Sequence, residues 1–211
     1  MKRPRCVGPS AVALTEFVMA WMGAAAAASA GRDQLLVAVS DSAGVPEQEI
    51  THAIDVGRRN FAVAGIETSW SVCRRETCAL PPEGSYVQIS IAARMNFSIP
   101  GLAPGQVLGW AHKASAADGR PLAYVFHDSV KRAAENASQP VSGALAWVMV
   151  HEVSHLLGLE HAPLGAMHAT PRSQDLILVT RGSGFAPVQT KHLRAGVSRL
   201  SAAANSPRNG R

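Results

Sequence analysis

Two hydrophobic periods succeed one another along this chain. Gln34–Ser40 (QLLVAVS) is an apolar run of strand length. After Pro46, Ile50, Ile54 and Phe61 recur at helical spacing until Gly65 halts the run, which predicts a helix. Ile66–Val72 alternates around Trp70, and Tyr86–Ala92 sets Val87, Ile89 and Ile91 against polar neighbours, so both read as strands. Pro100–Gly105 is a turn-rich link. Val107–His112 and Leu122–Phe126 flank an Ala-Asp-Gly-Arg turn at 117–120 and predict a hairpin. Beyond it the period lengthens. Val130–Ala137 reads as a helical turn, with Asp128 beside His127 as a turn pair. Ser142–Leu157 is a long helix, apolar on nearly every side, and Thr190–Ala203 is a last helix with Leu193, Val197 and Leu200 on one face. Residues 163–172 read as loop and Leu176–Val179 as a short apolar piece. Strands and helices in this order predict an α+β domain.

Residues 1–30 stand outside that pattern. Lys2, Arg3 and Arg5 precede an apolar run, 11–28, that closes on Ala28-Ser29-Ala30, the form of a secretory signal peptide cleaved after Ala30. The expected organisation is a leader over 1–30, one domain over 31–204 and a loose polar tail over 205–211, exported to the periplasm or beyond the cell. No stretch after residue 30 stays apolar for a membrane-spanning length. Of the 211 residues 47% are hydrophobic, enough for a core and too many for wholesale disorder. The formal charge of +5 falls to +3 once Lys2, Arg3, Arg5 and Glu16 are set aside. The remaining cations are scattered without interleaved aromatics, which excludes a nucleic-acid surface. A monomer is expected. Two cysteines remain after the leader, Cys73 and Cys78. An even count in an exported chain points to a disulfide around residues 74–77 rather than to a metal or redox pair, which needs closer spacing.

The chemistry lies in His151-Glu152-Val153-Ser154-His155-Leu156-Leu157-Gly158-Leu159-Glu160-His161. Residues four apart on a helix share a face, so His151 and His155 can grip one ion. Glu152 sits about 100° round the helix, beside such an ion without ligating it. Gly158 must turn the chain back for His161 to reach the same ion, and only glycine takes a left-handed turn without penalty. Three neutral imidazoles with one coordination position left over describe a catalytic zinc site rather than a closed structural one.

This string, followed by Met167, resembles the metzincin clan of zinc metallopeptidases. The resemblance implies zinc ligands at His151, His155 and His161, a general base at Glu152, a helix-ending glycine at Gly158 and a Met-turn at Met167. It further implies a twisted mixed five-stranded sheet with one antiparallel edge strand, above an active-site helix and a C-terminal helix. That edge strand is expected near Gly109, Trp110 and Ala111, where it would pair with an extended peptide substrate. The implied activity is zinc-dependent endopeptidase chemistry with one catalytic ion. Two alternatives stay open: a secreted zinc-binding interaction module with little turnover, and a zinc hydrolase of non-peptide amides. His112 and His127 are the nearest candidates for a second, structural metal, but no carboxylate or histidine partners are evident upstream.

Overall fold

The computed structural model describes residues 33–74, 86–96, 106–112 and 121–205. The expected leader, link (100–105), turn (117–120) and tail (from 206 onward), and Cys78, lie outside them. Five strands, β1 (Asp33–Asp41), β2 (Ile66–Arg74), β3 (Tyr86–Ala92), β4 (Gly109–His112) and β5 (Leu122–Phe126), form one sheet in the order β2-β1-β3-β5-β4. All neighbours are parallel except β4, which runs antiparallel to β5 on the edge. The expected α+β architecture and hairpin are therefore present. The interior strands β1, β3 and β5 place Val37, Val39, Ile89, Ile91, Ala123 and Val125 fully out of solvent, as parallel strands covered by helices require.

Among the described residues five helices accompany the sheet: α1 (Glu47–Val63), α2 (His127–Asn136), α3 (Val141–Leu156), α4 (Ser173–Thr180) and α5 (Pro187–Asn205). Helix α3 is the centre of the molecule. It packs on α1 and lies against β3, β4 and β5, and every residue from Gly143 to Ser154 is buried. A helix apolar on nearly every side is the form such a position selects.

Three expectations are corrected. Helix α2 begins at His127, directly after β5, and Asp128 is its N-terminal acid rather than a turn partner of His127. Its carboxylate receives Arg94 Nε at 2.8 Å and Lys131 Nζ at 2.9 Å. The segment read as loop and short apolar piece contains a 3₁₀ turn at Gly165–Met167 and the helix α4. Asp175 starts that helix by returning its carboxylate to the Arg172 N–H at 3.1 Å. Helix α5 starts at Pro187, where Pro is preorganised for a first position, and Gln189 Oε1 accepts the Ala186 N–H at 2.8 Å.

The C-terminal end of α3 is held by α5. Arg199 Nη2 donates to the Leu157 carbonyl at 3.0 Å, and α5 approaches so closely that a Cβ at Gly196 would stand 2.2 Å from the same oxygen. Because the obstacle is backbone, Gly196→Ala must push α5 off the end of α3. The expected cost is about 2 kcal/mol, read as a melting temperature lowered by about 4–8 °C. An unchanged melting temperature would show that α5 does not seat there.

Candidate metal centre

His151 and His155 project from consecutive turns of α3 with ring centroids 4.5 Å apart and planes at 87°. The helix then ends in a left-handed residue, Gly158 at φ +98°. The Gly158 N–H donates to the His155 carbonyl at 2.9 Å and the Leu159 N–H to the Ser154 carbonyl at 3.0 Å, the paired bonds of a Schellman ending. That reversal brings the His161 ring to 5.3 Å from His151 and 4.8 Å from His155. One ligand atom from each of the three imidazoles falls within 4.8 Å of the others, and among the described residues this is the one such group of three.

The tautomers are fixed by carbonyls. His151 Nδ1 lies 2.7 Å from the Ala166 oxygen, and His155 Nδ1 lies 2.7 Å from the Leu159 oxygen. A carbonyl only accepts, so each Nδ1 carries the proton and each Nε2 carries a lone pair. Those two Nε2 atoms stand 3.0 Å apart. That spacing lets both donor atoms reach one cation. Burial lowers the His151 pKa to about 3 against the opposing Ala166 bond, and the charges of His155 and His161 lower it further. The ring is therefore neutral, as a metal ligand must be. The donor set fits zinc.

Glu152 is 4% exposed. Burial raises its carboxyl pKa to about 8, opposed by a hydrogen bond from the Ala111 N–H of β4. The site opens into a cleft of about 1290 Å³, walled by β4, by Trp147, His151, Glu152 and His155 of α3, by α2, and by residues 169–173. Gly109, Trp110 and Ala111 of the edge strand all line the cleft. Trp110 is 38% exposed and meets His112 edge-on at 5.8 Å. His127 faces Glu49 Oε2 at 3.4 Å, so neither candidate for a second metal joins a three-residue cluster among the described residues. Cys73 lies in β2.

Met167 is fully buried in the 3₁₀ turn, and that turn is tied down from every side. Its carbonyl accepts the Ala162 N–H at 2.7 Å, and the Ala166 N–H donates to the Gly184 carbonyl at 2.8 Å. Two residues that the sequence reading missed complete the support. Trp147 stacks on His151 at 4.6 Å and donates its indole N–H to the Gly165 carbonyl at 3.1 Å. Its position four before His151, on the same helix face, was the available sign. Asp175 accepts the Gly165 N–H at 2.7 Å and Arg172 Nε at 3.0 Å.

The sequence matches no protein-family model and no curated protein. The fold is similar to that of archaemetzincin from Methanopyrus kandleri, with a TM-score of 0.54 and 18% identity over 81% of this chain and 98% of that one. It is also similar to metalloproteinase-II from Bacteroides fragilis, with a TM-score of 0.51 and 12% identity over 78% of this chain and 53% of that one. The mixed sheet with five helices is thus the archaemetzincin-like fold.

Burial alone would push the Asp175 carboxyl up, but the Arg172 guanidinium and the N–H groups of Gly165 and Arg172 outweigh it and hold the carboxyl below its usual range. A depressed folded-state pKa gives stability that is present above the ordinary carboxylate value of about 4 and lost as pH falls through the lower folded value. Asp175→Asn should therefore cost about 1–3 kcal/mol at pH 7 and flatten the acid limb of the stability curve. Denaturant titrations of both proteins from pH 7 to pH 3 check this; parallel curves would refute it.

Proposed function

We propose that this protein is an exported zinc-dependent endopeptidase of the metzincin type, with His151, His155 and His161 holding one zinc ion and Glu152 as general base. The observation that carries the reading is the convergence of three imidazole donor atoms within 4.8 Å beside a buried carboxyl, in a cleft bordered by a sheet edge. The metalloproteinase named among the structures of similar fold supports it.

Zinc bound by those imidazoles supplies Lewis acidity toward a carbonyl oxygen and makes water acidic near neutral pH. The chain's own contributions follow from the geometry. Ala166 and Leu159 hold the two helix imidazoles as Nε2 donors. The Glu152 carboxylate takes a proton from the attacking water and returns it to the leaving amine. The edge of β4 receives the extended substrate through main-chain hydrogen bonds, with Trp110 on the cleft side. Residues 169–173 and α2 wall the pocket for the residue after the scissile bond. Met167 supports the site from its buried turn. Export rests on the form of residues 1–30, and the Cys73–Cys78 bridge on the even cysteine count and on the place of Cys73 in β2. A monomer completes the reading.

Incubating the zinc-loaded protein with a mixed peptide library, with products mapped by mass spectrometry, should give cleavage that a chelator abolishes and added zinc restores. Glu152→Gln should keep its zinc and lose about 10²–10⁴-fold in kcat, whereas His161→Ala should lose zinc. Cleavage confined to small non-peptide amides would identify a different hydrolase. Zinc binding without any turnover would identify an interaction module.

A further inference from the structure

Gly109 is a glycine for which the backbone gives no reason. It is absent from the positive-φ positions, so any residue could adopt its torsion angles. What forbids a side chain there is space. A Cβ at Gly109 would lie 2.7 Å from Glu152 Cγ, 2.7 Å from Glu152 Oε1 and 2.8 Å from the Tyr124 carbonyl oxygen. Two of those three atoms belong to the buried carboxylate side chain itself.

The register explains why the same strand also holds the carboxylate. In the β4–β5 ladder Gly109 opposes Val125 and Ala111 opposes Ala123, and the Phe126 N–H donates to the Leu108 carbonyl at 2.8 Å. Hydrogen-bonded pairs alternate in an antiparallel ladder, so Leu108, Trp110 and His112 turn their polar groups toward β5. Gly109 and Ala111 turn theirs away, toward the cleft, and the Ala111 N–H is the group that reaches Glu152.

We infer that Gly109 is a positioning residue for Glu152: the absence of a side chain at this one strand position leaves the space that the carboxylate occupies, and the Ala111 N–H two residues on fixes it there. The strand expected to receive substrate is thereby also the seat of the base. The kinetic consequence rests on the peptidase reading, but the geometric one does not.

The test has two arms. In metal-free protein, which needs no turnover, amide hydrogen exchange by NMR reads the Ala111 N–H directly. Gly109→Ala should speed its exchange about tenfold while the Tyr124 N–H, turned toward Trp110, keeps its protection. Unchanged protection at Ala111, or equal loss at both amides, overturns the inference. Should Gly109→Ala fail to fold, Glu152→Asp provides the reading alone, because its shorter carboxylate must release Ala111; retained protection there also overturns it. In the zinc-loaded enzyme, Gly109→Ala should keep its zinc and lower kcat about 10²-fold with KM within about threefold. In the Glu152→Asp background the same substitution should cost about threefold or less, since the atoms it strikes have withdrawn. A raised KM with unchanged kcat, or equal losses in both backgrounds, overturns the inference. A wild-type enzyme without turnover overturns only the peptidase reading and leaves the exchange arm to decide this one.

Discussion

The Nε2 atoms of His151 and His155 face one another 3.0 Å apart at the end of α3, close enough to share one cation. That convergence is the constraint around which the rest is arranged. The helix supplies only the spacing. What prevents either ring from flipping to share a proton with the other is a carbonyl behind each, Ala166 for His151 and Leu159 for His155. Both carbonyls come from irregular backbone: one from the 3₁₀ turn that ends in Met167, the other from the chain reversal at Gly158. A cation held by all three rings would add to folding stability by mass action.

Support for those carbonyls reaches far along the chain. The Ala166 oxygen is held where it is because its own N–H donates to Gly184, because Gly165 is gripped by Asp175, and because the Trp147 indole closes on the Gly165 carbonyl. Gly184 in turn donates to Asn60 Oδ1 at 3.0 Å, and Asn60 Nδ2 donates to the Val179 carbonyl at 2.7 Å. Helices α1 and α4 thus meet behind the metal centre through one fully buried amide. On the other side, Arg199 of α5 holds the Leu157 oxygen, two residues before the Leu159 carbonyl. Each of these groups is buried or partly so, and an unpaired polar atom there would cost more than the bond itself contributes. The network is therefore self-consistent or it fails together.

This distinction also explains what could be read without coordinates. The histidine triad was legible because two of its members obey a helical period and the third follows the glycine that must break it. Strand β3 fell within its expected bounds, Tyr86–Ala92, because its alternation is unambiguous. Strands β1 and β2 run past their apolar runs to Asp41 and Arg74, since parallel pairing with each other extends the ladder over polar residues. Helix α4 and the starts of α2 and α5 were missed for a different reason. Their boundaries are set by single side chains, Asp175 and Gln189, or by direct abutment on β5, none of which leaves an apolar period. Asp175 and Trp147 act across gaps of ten and eighteen residues to Gly165, where sequence spacing carries no geometric information.

The remaining question is why the carboxyl should be so deeply buried when solvation by a cleft would have been simpler. A group that first accepts a proton and then gives it up works best when its two forms are nearly balanced at the working pH. An ordinary glutamate, with a pKa near about 4.3, would hold a proton too weakly to deliver it. Removing Glu152 from water shifts the balance toward the protonated form, and one hydrogen bond from Ala111 draws it part of the way back, leaving the carboxyl at about 8. The Ala111 N–H, turned away from β5, is thus the contact that moderates the effect of burial on this carboxyl. A cation held by His151, His155 and His161 would lower the value toward neutrality, because a positive charge beside a carboxyl favours its ionised form.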